Sequence, residues 1–177
     1  AHIKGNHMKV NITSLTIIIS MLWALSFTVI ASDLETAQSL ESVENTQKAI
    51  TLDVFKTPTC GCCQKWVDHI EQAGFSSNVH NLNNLDKLKR DKGINSKHQS
   101  CHTAISAEGY VFEGHIPSTI IKQFLANPPK DSIGLAVPGM PMGSPGMEMG
   151  SRRQNYDVLL LKSDGSSMVY QKVINES

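Results

Sequence analysis

The 177-residue chain carries 16 Lys and Arg against 16 Asp and Glu, a formal net charge of zero. Its densest basic run, Lys87 to Lys92, is interrupted by Leu88 and Asp91. Nucleic acids and anionic membrane surfaces recruit proteins through basic patches, so neither is an expected partner.

Ala1 to His7 read as a tag remnant ahead of Met8 and are set aside from fold reasoning. Residues 8–31 read as a secretory signal. Lys9 supplies the positive region, Leu15 to Ile30 is almost wholly apolar, and Val29-Ile30-Ala31 suits cleavage after Ala31. Ile12 to Ala31 also approaches the roughly 20 apolar residues that span a bilayer, so a retained anchor is the competing reading. Thr13, Ser14, Thr16 and Ser20 weigh against it. Either way the rest is expected outside the cytoplasm. Residues 32–48 read as a polar leader, and residues 49–175 as one domain with a real core.

Ala49 to Phe55 alternates and is rich in β-formers, predicting a strand that Pro58 ends. Gln64 to Ala73 puts Trp66, Val67, Ile70 and Ala73 on one stripe, predicting a helix stopped by Gly74. A strand follows over Phe75 to Asn81. Leu82 to Lys92 then places Leu82, Leu85 and Leu88 on one face of a second helix. His102 to Ala107 and Tyr110 to Phe112 read as a hairpin turning at Glu108-Gly109, and Pro117 opens a helix halted by Pro128-Pro129. Ile133 to Pro138 leads into a flexible Gly/Pro/Met loop, Gly139 to Gly150. Tyr156 to Lys162 and Met168 to Ile174 read as an extra C-terminal hairpin about Ser163-Asp164-Gly165-Ser166, beside the main sheet. The predicted class is α/β, a central mixed sheet flanked by helices. A strand running through a Cys-x-x-Cys into a helix, with a late hairpin and helix, resembles the thioredoxin-like arrangement.

Three of the four cysteines, Cys60, Cys62 and Cys63, fall within four residues; the fourth is Cys101. An oxidising compartment makes two structural disulfides the default. That default fits poorly, because only one clustered thiol can pair with Cys101 and a bridge between neighbours is strained. Two chemistries remain open. Cys60 and Cys63 form a Cys-x-x-Cys redox pair, with Cys60 as nucleophile and Cys63 as resolving thiol. Alternatively the cluster holds a soft metal. Structural zinc sites space their cysteines by at least two residues, whereas Cys-x-Cys-Cys suits Cu(I), whose thiolates can be shared between ions. Topology sets Ser100-Cys101-His102-Thr103 where thioredoxin-like proteins carry a cis-proline against the Cys-x-x-Cys, so Cys101 and His102 are expected to face the cluster.

Met140-Pro141-Met142 and Met147-Glu148-Met149 are two Met-x-Met pairs whose thioethers suit Cu(I); gap-filling over the core is the plain alternative. His102, beside Cys101, is a candidate further ligand. His115 sits at a helix entrance and could face the site, while His69, His80 and His98 are expected in solvent. Core packing suffices to explain Trp66. Neither a Ser-His-Asp spacing nor a Gly-rich phosphate loop supports a hydrolase or nucleotide enzyme.

Taken in order, four motifs resemble a known family. They are Thr57-Pro58-Thr59-Cys60-Gly61-Cys62-Cys63 with Trp66; Ser100-Cys101-His102-Thr103; Glu113-Gly114-His115-Ile116-Pro117; and Gly134 to Pro141 running on through Gly143 to Glu148. They resemble the CopG-type copper-resistance proteins, exported bacterial proteins unrelated to the ribbon-helix-helix repressors of the same name. The resemblance spans about Ile50 to Tyr170. It implies a thioredoxin-like periplasmic protein that supports copper tolerance by binding Cu(I) as a multinuclear cluster. Carried over by position, the ligands are Cys60, Cys62, Cys63 and Cys101. It also implies redox interconversion of copper. Transfer of copper to or from a periplasmic copper carrier or efflux component is a further expectation of this reading.

Overall fold

The computed structural model describes residues 49–175; the expected signal and polar leader lie outside them. In chain order the elements are β1 (Thr51–Lys56), α1 (Gly61–Gln72), β2 (Ser76–Asn81), α2 (Asp86–Asp91), a 3-10 turn (Ser96–His98), β3 (Thr103–Ser106), β4 (Val111–Glu113), α3 (Ser118–Ala126), β5 (Ser132–Ala136), β6 (Tyr156–Lys162) and β7 (Ser167–Val173). The strands form one seven-stranded mixed sheet in the order β2-β1-β3-β4-β5-β6-β7. β1 runs parallel to β2 and β4 parallel to β5; the other neighbours are antiparallel.

The period-two alternation of strands divides the core in two. Ala104, Phe112, Leu135 and Leu160 face one side, where Trp66, Val67 and Ile70 of α1 and Ile120, Ile121 and Phe124 of α3 cover them. Their immediate neighbours Ile105, Val111, Ala136 and Leu161 face the other side and pack with Ile94, Leu88 and Ile133. Phe124 closes the larger core edge-on to Tyr110 and Phe112, at centroid distances of 5.1 and 5.7 Å.

Three departures from expectation have local causes. α2 begins at Asp86 rather than Leu82. The Leu82 N–H donates to the Lys56 carbonyl at 2.9 Å and so prolongs the β1–β2 ladder, while the Asn84 side-chain oxygen accepts the Asp86 N–H at 2.6 Å and turns the chain. β5 is a strand that the sequence does not announce, because Gly134 interrupts its apolar run. That glycine is obligatory: a Cβ there would lie 1.8 Å from the Val111 carbonyl oxygen of the neighbouring strand. Thirdly, β6 and β7 run antiparallel on either side of residues 163–166 and are joined to the sheet through β5–β6 pairing. They therefore extend the main sheet. No helix among the described residues is long and apolar enough to cross a membrane.

Candidate metal centre

β1 delivers the chain to Cys60 at the mouth of α1, where Cys60 takes the N-cap position. Its N–H donates to the Thr57 carbonyl at 3.2 Å, closing the turn that carries Pro58. The first N–H groups of a helix have no partner within it and carry partial positive charge, an environment that favours sulfur in its anionic form. Cys63 is buried on the inner face, whereas Cys60 and Cys62 are half-buried at the rim. Cys60 and Cys63 are joined as a disulfide with a Cα–Cα separation of 5.3 Å, leaving Cys62 and Cys101 as free thiols. The Sγ of Cys62 stands 3.5 Å from that of Cys60.

Cys101 arrives from the loop before β3, about forty residues along the chain. All four sulfurs nonetheless lie within 4.8 Å of one another. The loop is held by a polar knot. Glu113 on β4 accepts the Ser100 N–H at 2.6 Å and the Thr103 hydroxyl at 2.6 Å. It also pairs with Lys89 of α2, whose ammonium reaches the Ser100 carbonyl at 3.0 Å. Gly114 makes room: its φ is +79°, and a Cβ there would meet the Ser100 side chain and the Val137 carbonyl oxygen, each at 2.6 Å. Burial, followed by the neighbouring Cys62, pushes the Cys101 thiol up to about 12. Burial also raises the Glu113 carboxyl above its ordinary range, against the pull of Lys89.

Two histidines complete the wall. His102 is fully buried between the indole of Trp66 (4.4 Å between centroids) and the ring of His115 (4.9 Å). Its Nδ1 is 3.4 Å from Cys101 Sγ, and its Nε2 is buried with no hydrogen-bond partner among the described residues. His115 is likewise fully buried, with Nε2 only 3.0 Å from Cys101 Sγ. Burial first, and for His102 the neighbouring His115 second, hold both rings below the ordinary histidine range, so both are neutral and offer a lone pair. Cys101, His102 and His115 form a second group whose atoms lie within 4.8 Å of one another.

The Met loop, expected to be flexible, is a hydrogen-bonded strap. Gly143 N–H reaches the Met147 carbonyl at 2.9 Å, Met147 N–H the Ser144 carbonyl at 2.8 Å, and Gln154 N–H the Met142 carbonyl at 2.9 Å. Its tip lies on the site. Pro145 offers its carbonyl to His115 Nδ1 at 2.7 Å, and a Cβ on Gly146 would sit 2.7 Å from the Cys62 carbonyl oxygen and 2.9 Å from the Trp66 nitrogen. Met140 and Met149 are exposed, while Met142 and Met147 are half-buried.

The structure therefore brings Cys60, Cys62, Cys63 and Cys101 together and sets His102 beside Cys101, with His115 closer to the Cys101 sulfur than His102 is. Trp66 is a core residue, its indole N–H donating to the Ile116 carbonyl at 2.9 Å, and it is also a wall of the site. Of the histidines expected in solvent, only His80 is exposed, paired with Asp53 at 3.0 Å. His98 is buried and bonded to the Ser167 hydroxyl at 2.9 Å. His69 is half-buried and accepts the Ser118 N–H at 3.1 Å, capping α3. Lys89 is hidden in sequence by the charge run Lys87 to Lys92. The available signal is its position four residues after Leu85, which sets a lysine on the apolar face of α2. A surface cavity of about 540 Å³ beside Asp86, Arg90, Ile94 and Gln99 includes none of these groups.

Four sulfurs and two neutral imidazoles gathered at a helix N-terminus define, as a class, a soft-metal or thiol-redox protein of mixed α/β fold. Comparison narrows the class. A family profile described as "protein of unknown function, DUF411" matches residues 98–147. Two solved structures titled copper resistance protein CopG, forms 2 and 1, share 35% and 36% identity with the chain, at TM-scores of 0.68 and 0.67. Each alignment covers 72% of this chain and 100% of the other. No curated protein matches. At that identity over the whole length of those structures, the chain belongs to the CopG copper-resistance family. Family and cysteine cluster together support a copper-related role.

Proposed function

We propose that the chain is an exported, periplasmic copper-binding protein that sequesters Cu(I) in support of copper resistance. In its fully reduced state Cys60, Cys62, Cys63 and Cys101 are the ligands, with His102 as a further one, and shared thiolates bridge several ions into a cluster. The observation that carries this reading is the convergence of all four sulfurs within 4.8 Å. Thiolates prefer soft Cu(I), and because each Cu(I) takes two or three ligands, thiolates are shared once the coordination positions to be filled outnumber the sulfurs. The accompanying fold reading is thioredoxin-like with an added C-terminal hairpin. The Met-x-Met strap is the lid through which copper passes to or from a periplasmic carrier or efflux component. Anaerobic titration of the reduced protein with Cu(I) should bind several equivalents tightly, and Cys101→Ser should lower that number. One weak equivalent, unchanged in the variant, would refute the reading.

The Cys60–Cys63 disulfide at a helix N-terminus favours one alternative, a thiol-disulfide oxidoreductase with Cys60 as nucleophile and Cys63 as resolving thiol. It requires metal-free turnover of a disulfide substrate that survives replacement of Cys62 or Cys101 by serine.

A further inference from the structure

The disulfide divides the four thiols unequally. Joining Cys60 to Cys63 withdraws two sulfurs and leaves Cys62 and Cys101 free. These two are not a bare pair. The Sγ atoms of Cys62 and Cys101 lie within 4.8 Å of each other, and Cys101 Sγ lies 3.0 Å from Nε2 of His115.

His115 is committed to that direction. A carbonyl can only accept, so Nδ1 carries the hydrogen that bonds to Pro145 at 2.7 Å, and Nε2 presents its lone pair toward the sulfur. Holding the remote N–H on a backbone carbonyl is how metal-ligating histidines are usually oriented. The ring is fully buried, and Gly146 lies over it: a Cβ there would approach Nδ1 to 3.3 Å. The Pro145-Gly146 tip therefore fixes both the tautomer and the aim of the imidazole.

We propose that the disulfide-bonded protein retains one soft monovalent metal ion on Cys62, Cys101 and His115, a two-sulfur, one-nitrogen site that keeps two sulfurs of the four-thiolate one and adds an imidazole. The proposal rests on the copper-binding reading for the kind of ion, while its ligand set follows from the disulfide. Thiolate and imidazole together suit Cu(I). The ligands are deprotonated as the ion enters, so binding releases protons from the two thiols. Oxidation of the Cys60–Cys63 pair then lowers the capacity of the protein without emptying it.

The test uses air-oxidised protein in which alkylation modifies only two cysteines. It is titrated with Ag(I), a soft monovalent ion that does not cycle its oxidation state with thiols, in competition with a chelator. One tight equivalent is expected, and X-ray absorption at the silver edge should report sulfur and nitrogen neighbours together. Cys101→Ser should lose that equivalent. The double variant Cys60→Ser/Cys63→Ser, which cannot form the disulfide, should keep it with the same neighbours. Failure of the oxidised protein to bind, or a spectrum with sulfur alone, overturns the proposal. If reduced wild type still binds several equivalents, the four-thiolate reading survives that failure; if the reduced protein binds none, the broader reading falls instead.

Discussion

Lys89 donates to the carboxylate of Glu113 in an ion pair from which solvent is almost wholly excluded, with side-chain exposures of 5% and 0%. Through Ser100 the pair fixes the backbone one residue ahead of Cys101. A charge pair in the core is a weak source of net stability, but breaking it strands the surviving charge. Its evident service is geometric: it tethers the loop that must bring a fourth sulfur to α1.

Lys89→Met should therefore destabilise the protein by about 3–5 kcal/mol in urea denaturation, and Lys89→Met/Glu113→Gln should recover part of that loss. Burial already raises the Glu113 carboxyl, so without Lys89 the folded protein holds this proton to higher pH than the unfolded chain does. A raised carboxyl pKa favours the folded state in acid and loses that advantage as pH climbs through it. The defect in Lys89→Met should consequently be smallest at low pH and grow toward neutrality; the opposite slope would refute this assignment.

The Cys101 thiol, pushed from 9.0 up to about 12, should be sluggish toward alkylating reagents. Three decades of pKa correspond to about 1000-fold less thiolate than an ordinary cysteine at pH 8. Peptide mass spectrometry after timed iodoacetamide treatment should show Cys101 labelling rising about tenfold per pH unit from 8 to 10, without the levelling an ordinary thiol shows near 9. The folded state should also lose stability as pH rises beyond 9, because the unfolded chain releases this proton first. A plateau in labelling near pH 9 would count against the burial of this group.

Two glycines near the cysteines should respond in opposite ways. Gly61 stands in the first turn of α1, and a Cβ there would meet nothing within 4 Å. Gly61→Ala should be neutral or stabilise by up to about 1 kcal/mol. Gly146 has a φ of +86°, and a Cβ on it would press on backbone atoms of Cys62 and Trp66 at 2.7 and 2.9 Å. Gly146→Ala should lift the strap, cost about 1–3 kcal/mol, and speed the alkylation of Cys62. Thermal denaturation and labelling of both variants decide the point; equal behaviour would refute the strap contact.

Much of the fold is legible because its strands alternate and its helices carry clean stripes. Trp66, Val67 and Ile70 mark α1, and Ile120, Ile121 and Phe124 mark α3. β5 is hidden by Gly134, whose reason for being there is a backbone across the sheet that a linear reading does not contain. The cysteines announce the site by their density, and topology is enough to aim Cys101 and His102 at them. The role of His115 is not legible to the same degree, since its orientation depends on a carbonyl thirty residues later at Pro145. Lys89 and His98 escape a linear reading for a related reason. Charge and polarity predict exposure until a distant partner, Glu113 or Ser167, is folded against them.

The four sulfurs come from two stretches of chain about forty residues apart, and the strap that covers them comes from a third. A nascent, threading or unfolded chain has only the local Cys60-Gly61-Cys62-Cys63 run, so the complete cage is a property of the finished tertiary structure alone. Any ion that needs all four thiolates thus acts as a clamp on the whole domain: at 100 times its dissociation constant it would add about 2.7 kcal/mol against global unfolding. For such an ion, binding and mechanical integrity would be coupled, and a protease that opens the domain would release it in the same event.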